Sequence, residues 1–295
     1  MEGFVQQLIN GVSLGSIYAL IALGYTMVYG IINLINFAHG DVYMVGAYVG
    51  FYLTTSMGLG FIPSLILSMV VCALLGVVIE KLAYKPIRKS SRIAALTTAI
   101  AVSLILEYGM MAWVGAETKT FRSDLLPKTS ISLFDGNVIL EAKNIYIIAI
   151  TIILMILLQF IVYKTKVGKS MRAVSQDKEA AELMGINSDR TISFTFAIGS
   201  ALAGAAGVMV GAYYNSIHPL MGMAPGLKAF IAAVIGGIGI IPGAVFGGFF
   251  LGIIETFVSF AGASTYKDAV AFLILIVILI IKPSGLLGKN VKEKV

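Results

Sequence analysis

The residue types best suited to chemistry in this sequence are clustered at Asn33, Asn36, His39 and Asp41, between two long apolar segments. An imidazole and a carboxylate two residues apart can ligate a metal or exchange protons, and the amides can donate and accept hydrogen bonds. A metal site is disfavoured because no second histidine or cysteine cluster lies nearby in the sequence. Two interpretations remain, since unpartnered polar groups are costly in a bilayer. The cluster forms an inner gate or pathway wall, or its groups hydrogen-bond one another at the inner boundary, with Asp41 as N-cap of the second span.

Three more ionisable residues lie within or beside apolar segments: Glu107, Lys228 and Glu255. An ion-coupled carrier uses such groups as proton or sodium sites. Alternatively, Glu107 or Glu255 pairs with Lys228 or accepts hydrogen bonds from tyrosine and asparagine neighbours. The sequence leaves these two interpretations open, and both glutamates remain candidates for the pathway or gate.

The composition indicates the surroundings of these groups. Of 295 residues, 58% are hydrophobic and only 12% are charged, and the mean hydropathy is +0.94. Soluble domains carry about 25% charged residues, so the sequence predicts a membrane protein. The basic residues fall in short loops beside apolar segments, which argues against nucleic-acid binding despite a net charge of +6. Cys72 is the single cysteine, so we expect neither a disulfide framework nor a thiolate metal site.

The chain is predicted to be an all-α polytopic domain covering residues 1–295, with about eight to nine transmembrane helices, at least one of them short or broken. Residues 227–241 are too few to cross a bilayer comfortably, so they form a re-entrant half-helix or a shortened ninth span. Glycine and alanine recur every four residues in several segments and predict close helix packing. The eight other apolar segments, several of them also shorter than the ~20 residues of a full span, lie at 5–30, 42–56, 61–82, 93–114, 145–163, 192–214, 243–260 and 269–281.

Loop charge predicts the orientation. Residues 81–92 hold five Lys and Arg, residues 164–190 hold six, and the tail from Lys282 holds four. By the positive-inside rule these three regions face the cytoplasm. The loop 115–143 balances four basic against four acidic residues and is predicted to lie outside, as is the N-terminus. The C-terminus is then cytoplasmic.

The loop 164–190 carries a second motif, in which Glu179, Ala180 and Ala181 are followed by Gly185. Residues 176–184 are predicted to form a short amphipathic helix that ends at this glycine and can dock in a groove of another protein. The alternative is a helix lying on lipid headgroups, which the acidic residues of this loop disfavour. Sequences that resemble phosphate-binding loops, at VGKS and GGIGIIPG, lack required glycines and the preceding strand. We therefore expect no nucleotide site and no catalytic site in this chain.

These motifs together resemble the permease subunits of bacterial branched-chain amino acid ABC transporters. The resemblance rests on NLINFAHGD followed by MVGAY, on the EAA-type loop, on GGIGIIPG and on the tail after KPSGLLG. It implies a multi-pass protein of the bacterial inner membrane, without a cofactor of its own, importing leucine, isoleucine or valine. The implied partners are a second similar permease, two cytoplasmic ATPases and an extracytoplasmic binding protein. The residues it implies for ATPase coupling are Arg172, Glu179, Ala180, Ala181 and Gly185.

Two further questions stay open in the sequence. The loop 115–143 alternates polar and apolar residues around Asp135 and Gly136, which predicts either a hairpin where a binding protein docks or a simple connection. An ion-coupled carrier or channel using His39, Glu107 and Glu255 is the alternative function, although it leaves the EAA-type loop unexplained. Related ABC permeases for urea or short amides are a second alternative.

Overall fold

The computed structural model describes residues 2–32, 34–88, 90–121, 126–127, 129–133 and 138–288. These residues form a helical bundle with two small antiparallel strand pairs. The helices are α1 (Glu2–Ile32), α2 (His39–Thr55), α3 (Phe61–Ile79) continued by a π-helical turn (Glu80–Tyr84) and α4 (Lys85–Ile87), α5 (Arg92–Val114), α6 (Ala142–Lys164), α7 (Lys166–Gln176), α8 (Lys178–Leu183), α9 (Ser188–Tyr214), α10 (Met223–Gly236), α11 (Ile241–Phe260) and α12 (Lys267–Ile281). The strands are β1 (Lys119–Thr120), β2 (Ser130–Leu133), β3 (Val138–Glu141) and β4 (Ser216–Ile217).

Seven helical stretches in the part of the chain that the structure describes are long and apolar enough to cross a membrane. Two other helices of the bundle are shorter, α2 with 17 residues and α10 with 14. The predicted all-α polytopic architecture is therefore confirmed, including its short helix. At 1.5 Å per residue, α10 is about 21 Å long, which is less than the ~30 Å of a hydrocarbon core.

Helices α1 and α9 form the centre of the bundle, since 78% of the residues in the most apolar part of each are buried. Helix α12 lies at the periphery, where the corresponding share is 6%. Close packing depends on small residues. The backbone of Gly15 in α1 contacts that of Gly252 in α11, and Gly46 in α2 contacts Gly204 in α9, leaving no space for a side chain. These contacts confirm the packing predicted from the glycine spacing.

The strands gather at one end of the bundle, which we call the strand end and define by β1 to β4. Strand β1 pairs with β4, and β2 pairs with β3 in a register that matches Leu133 with Val138. Pairing on both sides of the predicted turn confirms a hairpin, while Asp135 and Gly136 lie outside the described residues. The amide of Ile139 donates to the side chain of Gln6 at 2.8 Å, so the start of α1 lies at the same end.

Helices α7 and α8 lie at the opposite end, which we call the basic end. The close of the described chain packs there as well, because the amide of Leu286 donates to Ile235 and that of Leu287 to Gly236 at the end of α10. The two loops predicted to lie on opposite sides of a membrane, 115–143 and 164–190, thus occupy opposite ends of the bundle.

Candidate functional site

The described members of the polar cluster, Asn36, His39 and Asp41, are buried inside the bundle. After α1 ends at Ile32, the chain turns back, and α2 begins at His39 with its imidazole packed against Gly24 and edge-on to the Tyr25 ring at 4.8 Å between centroids. Gly24 precedes the end of α1 by about 12 Å of helix. His39 therefore lies deeper in the bundle than the end of α1, because residues 34–38 return toward the bundle centre before α2 starts. The placement of the cluster at the inner membrane boundary stays a prediction. His39 is 1% exposed.

The side chains of Asn36 and Asp41 are held by other helices, while the amide of His39 donates to the Asn36 carbonyl at 3.0 Å. Asn36 accepts a hydrogen bond from the hydroxyl of Tyr84 at 2.9 Å, and Asp41 accepts one from the hydroxyl of Ser103. The predicted N-cap role of Asp41 is wrong, because α2 already begins at His39 and Asp41 is its third residue. Asn33 lies outside the described residues.

Glu107 joins Asp41 in one groove between α2, α5 and α10. Ser103 and Glu107 are four residues apart on α5 and so share a helix face. The Glu107 carboxyl lies within hydrogen-bond reach of the Asp41 carboxyl, and the groove beside them has a volume of about 280 Å³. We call this the acidic groove and define it by Asp41, Ser103 and Glu107. Asp41 and Glu107, two of the residues predicted for the pathway or gate, therefore lie together although they are distant in sequence.

Glu255 belongs to a separate ionic network closer to the strand end. It accepts hydrogen bonds from Lys228 at 2.6 Å and from the hydroxyl of Tyr18 at 2.8 Å, and Lys267 lies 3.3 Å away. Lys228 also contacts Asp268 at 2.7 Å. The pairing of Glu255 with Lys228 is confirmed, and Glu107 takes no part in it. The network borders a cavity of about 290 Å³.

A fourth buried carboxylate, Glu80, was not identified from the sequence. It is fully buried at the π-helical turn after α3, where it pairs with Arg88 and accepts a hydrogen bond from Ser193. Arg88 in turn contacts Asp189 in the first turn of α9 at 2.7 Å. The signal that could have revealed it is an acidic residue that closes an apolar run and precedes a basic loop.

The EAA-type loop is folded differently from its prediction. Residues 176–184 do not form one helix, because α7 ends at Gln176 and the Asp177 side chain caps a new helix, α8, by accepting from the amide of Ala180 at 2.9 Å. The predicted end at Gly185 is confirmed by its φ of +81°, a backbone conformation that favours glycine.

The five residues assigned to ATPase coupling divide into two groups. Arg172 donates to the Val162 carbonyl at 2.7 Å and stacks over the Tyr163 ring, so it fastens α7 to the end of α6. Ala181 is buried, whereas Glu179, Ala180 and Gly185 are exposed at the basic end. The apolar residues Leu183 and Met184 are 89% and 82% exposed beside them.

Comparison with known proteins agrees with this architecture. A family model described as the branched-chain amino acid transport system / permease component matches residues 7–279. The chain belongs to this permease family. It is 42% identical to the high-affinity branched-chain amino acid transport system permease protein BraD of Pseudomonas aeruginosa, over 99% of this chain and 98% of the relative. Its identity to the LivH permease protein of the same description from Escherichia coli is 43%, with the same coverage.

A solved structure supports the fold alone. PsaBC from Streptococcus pneumoniae in complex with Fab aligns with a TM-score of 0.51 at 14% identity, covering 95% of this chain and 92% of that one. The family match and the similarity to BraD and LivH confirm the predicted resemblance to branched-chain amino acid ABC permeases.

Proposed function

We propose that this chain is one permease subunit of an ATP-driven importer of branched-chain amino acids in a bacterial inner membrane. Near-full-length similarity to BraD and LivH carries this proposal. The complex would comprise a second, homologous permease, two cytoplasmic ATPases that hydrolyse ATP, and an extracytoplasmic binding protein. Residues 1–295 form its single permease domain, and the substrate passes between the two permeases.

Helix α8 is the element proposed to dock on an ATPase. Its exposed Leu183 and Met184 supply large apolar contacts, and Glu179 and Glu182 give it an acidic side. An apolar tip of this kind inserts into a groove on a partner protein. A lipid surface is a poorer partner, because anionic headgroups repel the carboxylates.

A chain of ion pairs joins the first turn of α9, which follows α8 in the chain, to the segment after α3. Asp189, six residues after the end of α8, lies in the first turn of α9 and contacts both Lys85 and Arg88 at 2.7 Å. Arg88 continues the chain to Glu80. A displacement of the 164–190 loop would therefore move the basic ends of α3 and α9 together, as coupling to ATPase closure requires.

The gate is proposed to lie where α2 and α10 begin. The backbones of Gly40 and Gly222 touch there, next to Asp41, His39 and Asn36. At the strand end, the hairpin in loop 115–143 would be the surface for the binding protein.

The function is tested by reconstituting the chain with its second permease, ATPases and binding protein in vesicles and measuring uptake of labelled leucine, with urea and acetamide as alternative substrates. We expect uptake that requires ATP and is lost when the ATPase is inactivated. The control is the chain reconstituted alone under a proton gradient. Proton-driven leucine uptake by the lone chain would establish the ion-coupled carrier instead, and ATP-driven uptake of amides without leucine would reassign the substrate.

A further inference from the structure

The acidic groove has an unbalanced charge. Asp41 is 1% exposed and Glu107 is 8% exposed, and no lysine, arginine or histidine is among the described residues that line the groove. The Oδ2 atom of Asp41 is bonded to Ser103, but its buried Oδ1 atom has no hydrogen-bond partner within the described ranges. Two neighbouring carboxyl groups in a poorly solvated site repel each other unless a cation or a proton lies between them.

Helix ends account for one of the two charges. Asp41 lies in the first turn of α2, and its Oδ1 atom also approaches Gly222, which immediately precedes α10. The N-termini of both helices carry partial positive charge and favour an anion at this point. Glu107 sits in the middle of α5 and receives no such compensation. The groove therefore remains short of one positive charge.

The acceptors match a primary ammonium group. Such a group has three N–H donors, and the groove offers Asp41, Glu107 and the lone pairs of Ser103 as three acceptors. A calcium ion requires six to eight oxygen ligands, which these three side chains do not supply. Ile100, Leu104 and Leu227 are among the apolar residues that line the rest of the groove, and they suit an aliphatic side chain. The volume of about 280 Å³ is near the ~300 Å³ at which small-molecule pockets begin.

We propose that the acidic groove binds the ammonium group of an amino acid in transit, an inference that rests on the proposed function and adds a subsite to it. Asp41 and Glu107 hold the charge, Ser103 orients Asp41, and the aliphatic residues of α5 and α10 contact the substrate side chain. The groove side of α5 accordingly faces the translocation path and not lipid, since a buried acid pair in hydrocarbon would be costly.

The test uses the assembled transporter with Cys72 replaced by Ser and Leu104, which is 45% exposed at the groove, replaced by Cys. The rate at which N-ethylmaleimide modifies Leu104→Cys is measured in the presence of one of two probes. The first, 3-methylbutylamine, is leucine without its carboxylate, and the second, 4-methylpentanoate, is leucine without its amine. At about ten times its Kd, the amine should slow modification ~10-fold. The carboxylate should not, and Glu107→Gln and Asp41→Asn should each abolish the protection.

The matched control is Glu117→Gln, which neutralises an exposed acid at the strand end and should leave protection intact. Equal protection by both probes, or protection that survives Glu107→Gln, would overturn the subsite. A rate that changes with pH but not with amine would also overturn it, by assigning the groove to a shared proton. If Glu107→Gln fails to assemble, the amine-versus-carboxylate contrast in the parent protein still decides. Amine binding without leucine uptake would refute the transport assignment alone, and leucine uptake without amine binding would refute the subsite alone.

Discussion

Glu255 is buried among polar groups from three other segments of the chain: Tyr18 from α1, Lys228 from α10 and Lys267 from the start of α12. Its side chain is 5% exposed and that of Lys228 is 10% exposed. A buried ion pair adds little stability relative to apolar residues of the same size, but removing one partner leaves a charge uncompensated. The network therefore holds the short helix α10 against its neighbours, because separating them would leave a buried charge without its partner.

This argument predicts the outcome of a double-mutant cycle. We expect Lys228→Met to lower the free energy of unfolding by about 3 kcal/mol, the lower end of the range for broken buried pairs because Lys267 and Tyr18 remain. Adding Glu255→Gln should restore part of the loss. Cys72 is fully buried, so a thiol-reactive dye reports thermal unfolding directly. Lys178→Met, in an exposed pair at 4.0 Å, is the control and should cost less than about 1 kcal/mol. Equal losses of unfolding free energy in Lys228→Met and in the control Lys178→Met would contradict this account.

The polar residues themselves could be selected from sequence, but not their partners. Asp41, Glu107 and Glu255 stood out because charge is rare in apolar segments. The pairing of Asp41 with Ser103 and Glu107 joins residues more than 60 positions apart. Glu80 was overlooked because its partner Ser193 lies on a helix 113 residues later, and nothing local distinguishes Glu80 from a solvated helix end.

Among the helices, the presence of each long helix was predictable from the sequence, but the place where some helices begin was not. Hydrophobicity located every long helix of the described chain, and the glycine at 185 located the end of α8. The break at Asp177 was missed because capping there competes with a continuous helical pattern, and the capping hydrogen bond to Ala180 favours a new helix. The inward return of residues 34–38 has no hydrophobic signature at all.

Gly185 offers a test of α8 as a coupling element. A Cβ atom at this position would meet nothing within 4 Å, so a substitution acts through the left-handed backbone and not through a clash. We expect Gly185→Val to uncouple ATP hydrolysis from uptake, whereas Gly185→Asn, which tolerates this conformation, retains most coupling. Glu179→Lys should uncouple by reversing a charge at the exposed face. ATPase activity and leucine uptake are measured on the same vesicles, and normal uptake by Gly185→Val at normal subunit levels would refute the role.

At the scale of the whole molecule, the two ends differ in the loops they carry. The strand end has the near-neutral 115–143 loop, and the basic end has α7 and α8. We therefore expect the strand end to face outward and the basic end to face the cytoplasm. Ser132 in β2 and Ser175 in α7 are both exposed and mark these ends.

The orientation is measured by placing a cysteine at Ser132 or Ser175 in a Cys72→Ser background. An impermeant thiol reagent added to intact cells should modify the first and spare the second. Permeabilised cells provide the control, because both positions should then react. Labelling of Ser175→Cys from outside would invert the molecule and remove the basis for ATPase docking at α8.

The deep start of α2 has a consequence for biogenesis. Its first turn carries His39 and Asp41, and its buried face is completed by the contacts of Gly46 with Gly204 and of Tyr43 with Gly207 in α9. Those partners emerge from the ribosome roughly 10–30 s after α2 at ordinary rates of chain elongation. Until then, the face of α2 that carries Tyr43 and Gly46 lacks its α9 partner, although His39 already contacts Gly24 and Tyr25 of α1. The packing of α2 in the membrane is therefore completed late in synthesis, by α9, after its contacts with α1 and α3 can already form.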